Sequence, residues 1–399
     1  MKKVVEKFLK YVSYPTSSGA EREGKCSTDG QYVLGKELMK ELKDLGLTEI
    51  SMNEHGIVRA VLKGEYEPSI ALSAHMDTSP DARGDGIKAR VVEKYDGSDI
   101  ELSKNIVLSP MVFPTLKEQV GHDLIVTDGT TLLGGDDKAG LAIIMTALEE
   151  VINEKLPHHS IEVLFTTDEE IGTGVHYVET DKLVSKFGYT VDGGCSKYIS
   201  KSNFNAINME VEITGRNVHP GSAKDKMINA ITIGMEFDNS LPKYERPQYT
   251  CGREGFYHLN DFNGSCEKTT LGYIIRDFDT TILEHRVETV EKIKEEINKK
   301  YGYEAVKISL DRCYKNMEEI IDAMPEVIDR VVNAYKDLNL EYDFEDIRGG
   351  TDGAQLSFRG LPCPNLGTGD YNCHGRFEYV SINEMQDMVN VVKKIIATK

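Results

Sequence analysis

The chain has 399 residues, with 47 Lys and Arg against 66 Asp and Glu, which gives a formal net charge of −19. A single core usually stops growing at roughly 250 to 300 residues, so two domains are expected. The acidic balance leaves no basic stripe for a phosphate backbone and excludes nucleic acid as a partner, and no apolar run approaches the roughly 20 residues of a membrane span.

The seven cysteines (Cys26, Cys195, Cys251, Cys266, Cys313, Cys363 and Cys373) are scattered and never form a C-x-x-C pair. They point to reduced thiols and a cytoplasmic location rather than a disulfide frame. The chain opens on an amphipathic helix with Val4, Phe8 and Tyr11, and Glu6 inside it argues against a signal peptide. A second helix follows with Tyr32, Leu34, Leu38, Leu42 and Leu45 on one side, then strand-like pieces at Ile50 and over 57–62.

Ser69 to Ala74 reads as a buried strand that runs directly into His75-Met76-Asp77-Thr78. In a parallel α/β sheet the loops at the carboxyl ends of strands form the ligand crevice, so His75 and Asp77 fall where chemistry is expected. Residues two apart in extended chain share a face, which lets Asp77 orient the His75 imidazole and fix its tautomer.

Asp123 to Thr127 has the character of another buried strand, and Ala139, Leu141, Ile143, Ile144, Ala147, Leu148 and Val151 recur at helical spacing, so a helix starts near Lys138. Between them Gly134 and Gly135 let the chain turn sharply. The turn delivers Asp136 and Asp137 to the helix mouth, where the dipole favours a carboxylate able to bind cations. Alone, such a pair reads as an N-cap; beside other acidic strand ends it reads as the centre of a metal site.

Ser160 to Thr166 is a third buried strand, and it ends in Asp168-Glu169-Glu170. Three consecutive acids repel one another unless a cation compensates them, the alternative being a solvated acidic turn. Tyr189 to Val191 repeats the design with Asp192 and two glycines.

From Phe204 the pattern changes. Ile207 to Ile213 alternates with period two, a helix is expected over Asp225 to Phe237, and alternating runs follow around 255–259 and 270–276. A charged helix from Thr281 to Lys300 and a strand from Ala305 to Leu310 complete the β-α-β-β-α-β order of a ferredoxin-like module. That module, residues 205–315, would be inserted into a domain made of residues 1–204 and 316–399.

The first domain resumes with a helix from Pro325 to Leu338, a glycine-rich turn from Arg348 to Ala354, and a strand from Cys363 to Leu366 whose polar end is Tyr371 to Gly375. His374 is thus a fifth ligand-type residue at a strand end. Cys373 beside it is set aside as a ligand, because the other candidates are harder, oxygen-rich donors. A closing helix buries Met385, Met388, Val389, Val392 and Ile395. The fold class is α/β with a mixed sheet and an inserted α+β module.

His75 to Pro80, Leu132 to Gly140, Asp168 to Glu170, Tyr189 to Gly194, Asn217 to Gly221 and Arg348 to Gln355 resemble, in order and over nearly the whole chain, the peptidase T family. Its members are tripeptide aminopeptidases among the cocatalytic dizinc metallopeptidases. The resemblance implies a zinc-peptidase domain of mixed sheet, with the ferredoxin-like module as a lid and dimerisation-type domain. It implies that His75 and Asp192 bind one Zn²⁺, that Glu170 and His374 bind a second, and that Asp136 bridges both, with a cis peptide bond between Asp136 and Asp137. Mn²⁺ or Co²⁺ would be acceptable substitutes at such a carboxylate-rich site.

By the same resemblance Glu169 is the general base and Asp77 the partner of His75. His219, in a turn of the inserted module, would stabilise the tetrahedral oxyanion, its plainer reading being a turn histidine in water. Arg276 would grip the terminal carboxylate of the peptide, its plainer reading being an ion pair with Asp277 or Asp279. Three ligand carboxylates facing two Zn²⁺ leave one positive charge for a bridging hydroxide to neutralise, with Glu169 taking the proton and returning it to the leaving amine.

The implied activity is release of the N-terminal residue of tripeptides. A dipeptidase, carboxypeptidase or N-acyl amino-acid hydrolase would use the same metals on a different amide, and a non-catalytic alternative is a metal-stabilised peptide-binding protein. Small peptides are the expected partners, and an edge strand or helix of the inserted module offers a surface for a homodimer.

Overall fold

Continuous apolar runs, too uniform for half-exposed strands, build the centre of the main sheet. The computed structural model describes residues 2–399, with Met1 outside the described residues. The chain divides into two units, one formed by the stretches up to Lys201, Glu319–Glu345 and Thr351–Lys399, the other by Ser202–Glu318 and Asp346–Gly350.

The first unit holds an eight-stranded mixed sheet in the order Thr48–Met52, Val58–Leu62, His159–Thr166, Tyr66–His75, Phe187–Val191, Asn365–Leu366, Tyr198–Asn203, Asp343–Ile347. Its middle is parallel: Tyr66–His75 pairs in parallel with both His159–Thr166 and Phe187–Val191, which in turn pairs in parallel with Asn365–Leu366. Ile70, Leu72 and Ala74 face a core shared with Leu141, Ile144 and Leu148 of the helix Gly135–Glu154 and with Met385 and Val389 of the helix Ile382–Ala397. The intervening Ala71, with Leu164, belongs to a smaller cluster with Leu356 and Leu361. Both faces of the sheet are covered.

The expected strand Leu124–Val126 is present and buried, but it belongs to a separate four-stranded sheet with Arg90–Val92, Tyr379–Ser381 and Asp370–Tyr371. That sheet encloses its own core of Tyr95, Leu108, Leu116, Leu124, Val126 and Tyr379.

In the second unit, strands Phe256–Gly264, Lys268–Asp277, Asn205–Thr214 and Val306–Tyr314 lie side by side in that order, all antiparallel. With the helices Ala230–Ser240 and Thr280–Tyr301 this is the ferredoxin-like arrangement. Alternation sets its core: Ile207, Met209, Val211 and Ile213 are buried against Ile233, Phe237, Val290, Ile293 and Ile297, while Glu210 is exposed. The first helix begins later than the expected Asp225. Asp225 has a left-handed φ of 58°, and Asn229 caps the helix by accepting the Ile231 N–H at 2.9 Å.

Candidate active site

Register brings the ligand-type residues to one edge. His75 is paired with Thr166, Ser73 with Thr190, and Val191 with Leu366, so four adjacent parallel strands end level with one another. The residues that follow them, Asp77, Glu169, Glu170 and Asp192, therefore emerge together at the carboxyl edge of the sheet.

His75 is buried, and both its ring nitrogens face carboxylates. Nε2 lies 2.8 Å from Asp136 Oδ1 and 4.0 Å from Asp192 Oδ1. Nδ1 lies 3.3 Å from Asp77 Oδ1. Asp77 is completely buried, accepts the Ser18 hydroxyl, and accepts the backbone N–H groups of Glu169 at 3.2 Å and Glu170 at 3.1 Å. One carboxylate thus stands beside the His75 ring and holds the neighbouring acidic turn by two backbone N–H groups.

The three consecutive acids do not all face the site. Asp168, in a left-handed conformation with φ 57°, is turned away and held by the backbone N–H of Ser27 at 2.7 Å, its hydroxyl, and the Gln31 amide at 2.7 Å. These donors relieve its charge without a cation, which corrects the expectation that repulsion among all three needed one. Glu170 does point inward, its Oε2 3.0 Å from His374 Nε2.

The regular part of the helix Gly135–Glu154 begins at Lys138, because Asp136 and Asp137 have non-helical backbone angles. The peptide bond between those two residues is cis. Gly134 takes a left-handed φ of 79°, and a Cβ on Gly135 would stand 2.7 Å from Val380 Cγ2. Both glycines are therefore required by the turn. Asp136 and Asp137 then part company. Asp136 faces the imidazoles, whereas Asp137 is buried and accepts the backbone N–H groups of His75 and Gly140, both at 3.1 Å.

His374 does not extend the strand Asn365–Leu366, as the sequence suggests. The chain pairs again at Asp370–Tyr371 with Tyr379–Ser381 in the smaller sheet, and His374 sits in the loop between them with φ 64°. Its Nε2 still reaches Asp136 Oδ2 at 3.3 Å, and its Nδ1 lies 3.6 Å from Asp81. The neighbouring Cys373 donates its thiol to Asp370 Oδ2 at 2.6 Å.

Asp136 therefore lies between two imidazoles, one on each oxygen. His75, Asp136 and Glu170 place ligand atoms within 4.8 Å of one another, as do His75, Asp137 and Asp192, and also Asp136, Asp370 and Cys373. Burial, with Asp136 beside it, pushes Asp192 well above the usual carboxylate range, and burial raises Glu169 and Glu170 as well. Asp136 and Glu170 push His374 up to about 11. Against the pull of burial, His374 and His75 hold Asp136 far below the ordinary value. Every group is shifted toward acquiring or pairing with positive charge, which suits divalent cations. Glu170 Oε1 is moreover buried and accepts no hydrogen bond among the described residues, as befits an oxygen meant for a ligand.

His219 and Arg276 lie in the second unit. His219 caps a short turn, its Nδ1 accepting the Gly221 N–H at 3.1 Å. Arg276 stacks on Tyr314 and donates to the carbonyls of Ile207 at 3.1 Å and Ile275 at 3.0 Å. The ion pair envisaged with Asp277 or Asp279 is not made: Asp277 binds Arg286 at 2.9 Å, and Asp279 caps the helix Thr280–Tyr301.

Sequence reasoning missed Glu378, which is buried and accepts the N–H groups of Leu133, Gly134, Gly135 and Asp136. It also missed buried Asp370 and Asp352, the latter accepting the Thr166 hydroxyl. Asp352 was visible only as part of a glycine-rich turn, and nothing in the local sequence marks the other two.

Comparison with known proteins fits this geometry. A family model described as a peptidase dimerisation domain matches residues 201–305, and one described as M42 glutamyl aminopeptidase matches residues 125–213. Among solved structures, aminopeptidase PepT from Bacillus cereus superposes with a TM-score of 0.79 at 22% identity, over 99% of this chain and 97% of that one. A dinuclear metal-binding peptidase of the M20 family from Bacillus subtilis superposes with a TM-score of 0.65 at 12% identity, over 99% and 96% of the two chains. Peptidase T from Caldanaerobacter subterraneus subsp. tengcongensis is 48% identical over 99% of this chain and 98% of its own length. Likeness of that extent identifies the lineage, and this chain belongs to the peptidase T family.

Proposed function

We propose that the protein is a metal-dependent tripeptide aminopeptidase that works with two divalent cations, zinc by preference. The supporting observation is the position of Asp136, whose Oδ1 lies 2.8 Å from His75 Nε2 and whose Oδ2 lies 3.3 Å from His374 Nε2. A carboxylate with one oxygen toward each imidazole would be the ligand shared by the two cations. His75 and Asp192 would hold the first, Glu170 and His374 the second. When bound, such a pair polarises the scissile carbonyl and makes water a stronger acid.

Glu169 supplies the general base. Asp77 grips its backbone N–H at 3.2 Å, and burial with the nearby acids Asp352, Asp192 and Asp136 raises its carboxyl, in the direction that brings a base toward operating pH. Its carboxylate takes the proton from the attacking water and hands it to the leaving amine. In the second unit, the hydrogen bond from Gly221 to His219 Nδ1 leaves the ring proton on Nε2, the donor an oxyanion needs. Arg276, free of the aspartates beside it, is the candidate clamp for the peptide's terminal carboxylate. The match of residues 201–305 to a dimerisation domain supports a homodimer, and seven free thiols support a cytoplasmic setting.

A panel of peptides of two to five residues, with free and blocked termini, tests this before and after chelation. Alanine should be released from Ala-Ala-Ala and not from its N-acetyl form, and chelation should abolish the release until a divalent cation is restored. Hydrolysis of the acetylated peptide in preference to the free one, or turnover indifferent to chelation, would overturn the reading.

A further inference from the structure

We infer that Glu378 is a positioning residue that ties the loop bearing His374 to the turn bearing Asp136, and so sets the spacing at which the two cations are held. The inference rests on the two-cation reading above and concerns a residue outside that ligand set. Glu378 is buried, and its carboxylate spans four successive backbone donors: Oε2 accepts from Leu133 at 2.6 Å and Gly134 at 2.9 Å, and Oε1 from Gly135 at 2.6 Å and Asp136 at 3.3 Å. Four N–H groups converging on one anion form a backbone nest. Here the anion is a side chain, four residues after His374 in the loop that separates the strands Asp370–Tyr371 and Tyr379–Ser381.

Contact between the two segments is also tight sterically. A Cβ on Gly135 would meet Val380 Cγ2 at 2.7 Å, Asp370 Cβ at 3.0 Å and Glu378 Oε1 at 3.1 Å. The turn can therefore neither slide toward the loop nor leave it without breaking the nest. His374 and Asp136, whose contact is 3.3 Å, are fixed relative to one another by the carboxylate behind them. No other side chain hydrogen-bonds these four N–H groups among the described residues, so their orientation depends on this residue.

Glu378→Gln leaves one oxygen for four donors and turns an NH₂ group against the rest. Glu378→Asp keeps the charge and shortens the reach by one methylene. Cation content and affinity are measured on both variants and on the parent by competition with a chromophoric chelator, alongside the visible spectrum of the Co²⁺-loaded forms and the kcat and KM for Ala-Ala-Ala.

The parent should hold two cations. Glu378→Gln should bind them roughly 10 to 100-fold more weakly, as loss of an outer partner does, with a shifted Co²⁺ spectrum. At saturating metal its kcat should fall while KM changes less than about threefold. Glu378→Asp should lie between, and it decides by the same readouts if the Gln variant does not fold. Variants that lose thermal stability yet keep parental affinity and spectrum would overturn the inference alone. A parent that does not take up two cations would overturn the two-cation reading, and this inference with it.

Discussion

Asp77 stands behind His75, its Oδ1 3.3 Å from the Nδ1 of the ring whose Nε2 faces Asp136 at 2.8 Å. In the proposed centre, a carboxylate on this side of the ring would fix the tautomer and strengthen the imidazole as a ligand. Because Asp77 also accepts the N–H groups of Glu169 and Glu170, Asp77→Asn should disturb both. Cation affinity measured by chelator competition is expected to fall roughly 10 to 100-fold; unchanged affinity would show that the contact is passive.

Glu169 separates chemistry from cation binding. Glu169→Gln removes the proposed base and leaves His75, Asp136, Glu170, Asp192 and His374 intact. Turnover of Ala-Ala-Ala should drop by about 10² to 10⁴, with metal content by elemental analysis equal to the parent's. Undiminished turnover would exclude the role.

Protons should stand in for cations in the metal-free protein. Burial raises Asp370 to about 6 and Asp352 to about 7, both above the usual carboxylate value. A group whose folded pKa is raised contributes stability that is complete below its unfolded pKa and lost as pH rises through the folded one. The thermal midpoint of the metal-free protein should therefore fall as pH climbs from 5 to 9, and saturation with a divalent cation should flatten the fall. A metal-free midpoint that rises over this range would contradict it.

Gly140 lies where the helix Gly135–Glu154 meets the strand Phe187–Val191. A Cβ there would stand 1.9 Å from the Val191 carbonyl oxygen and 2.5 Å from Asp137 Oδ1. Neither is the loose end of a flexible chain, so Gly140→Ala should cost at least about 1 to 3 kcal/mol and lower the thermal midpoint. Gly349→Ala, with nothing within 4 Å of the added atom, is the matched control and should leave the midpoint unchanged.

Much of this was legible in the sequence where periodicity is long. The apolar run 69–74, the helical spacing after Lys138 and the period-two alternation of 207–213 each correspond to a found element, because burial on a face imposes its period on the residues. Short elements gave no such signal. Arg90–Val92 and Tyr379–Ser381 are three residues each, too brief to show a period, so the smaller sheet and the true setting of Leu124–Val126 and His374 were hidden. The setting of Asp168 is illegible for a related reason: its partners Ser27 and Gln31 lie some 140 residues upstream, and side-chain contacts at that distance leave no local trace. Glu378 was invisible because its partners are backbone N–H groups, which every sequence possesses.

The most direct test of the central claim is anomalous diffraction from crystals grown with Zn²⁺, recorded on both sides of its absorption edge. Two peaks are expected, one against His75 and Asp192 and the other against Glu170 and His374, with Asp136 touching both. A single peak remote from Asp136, or none among these residues, would contradict a two-cation centre.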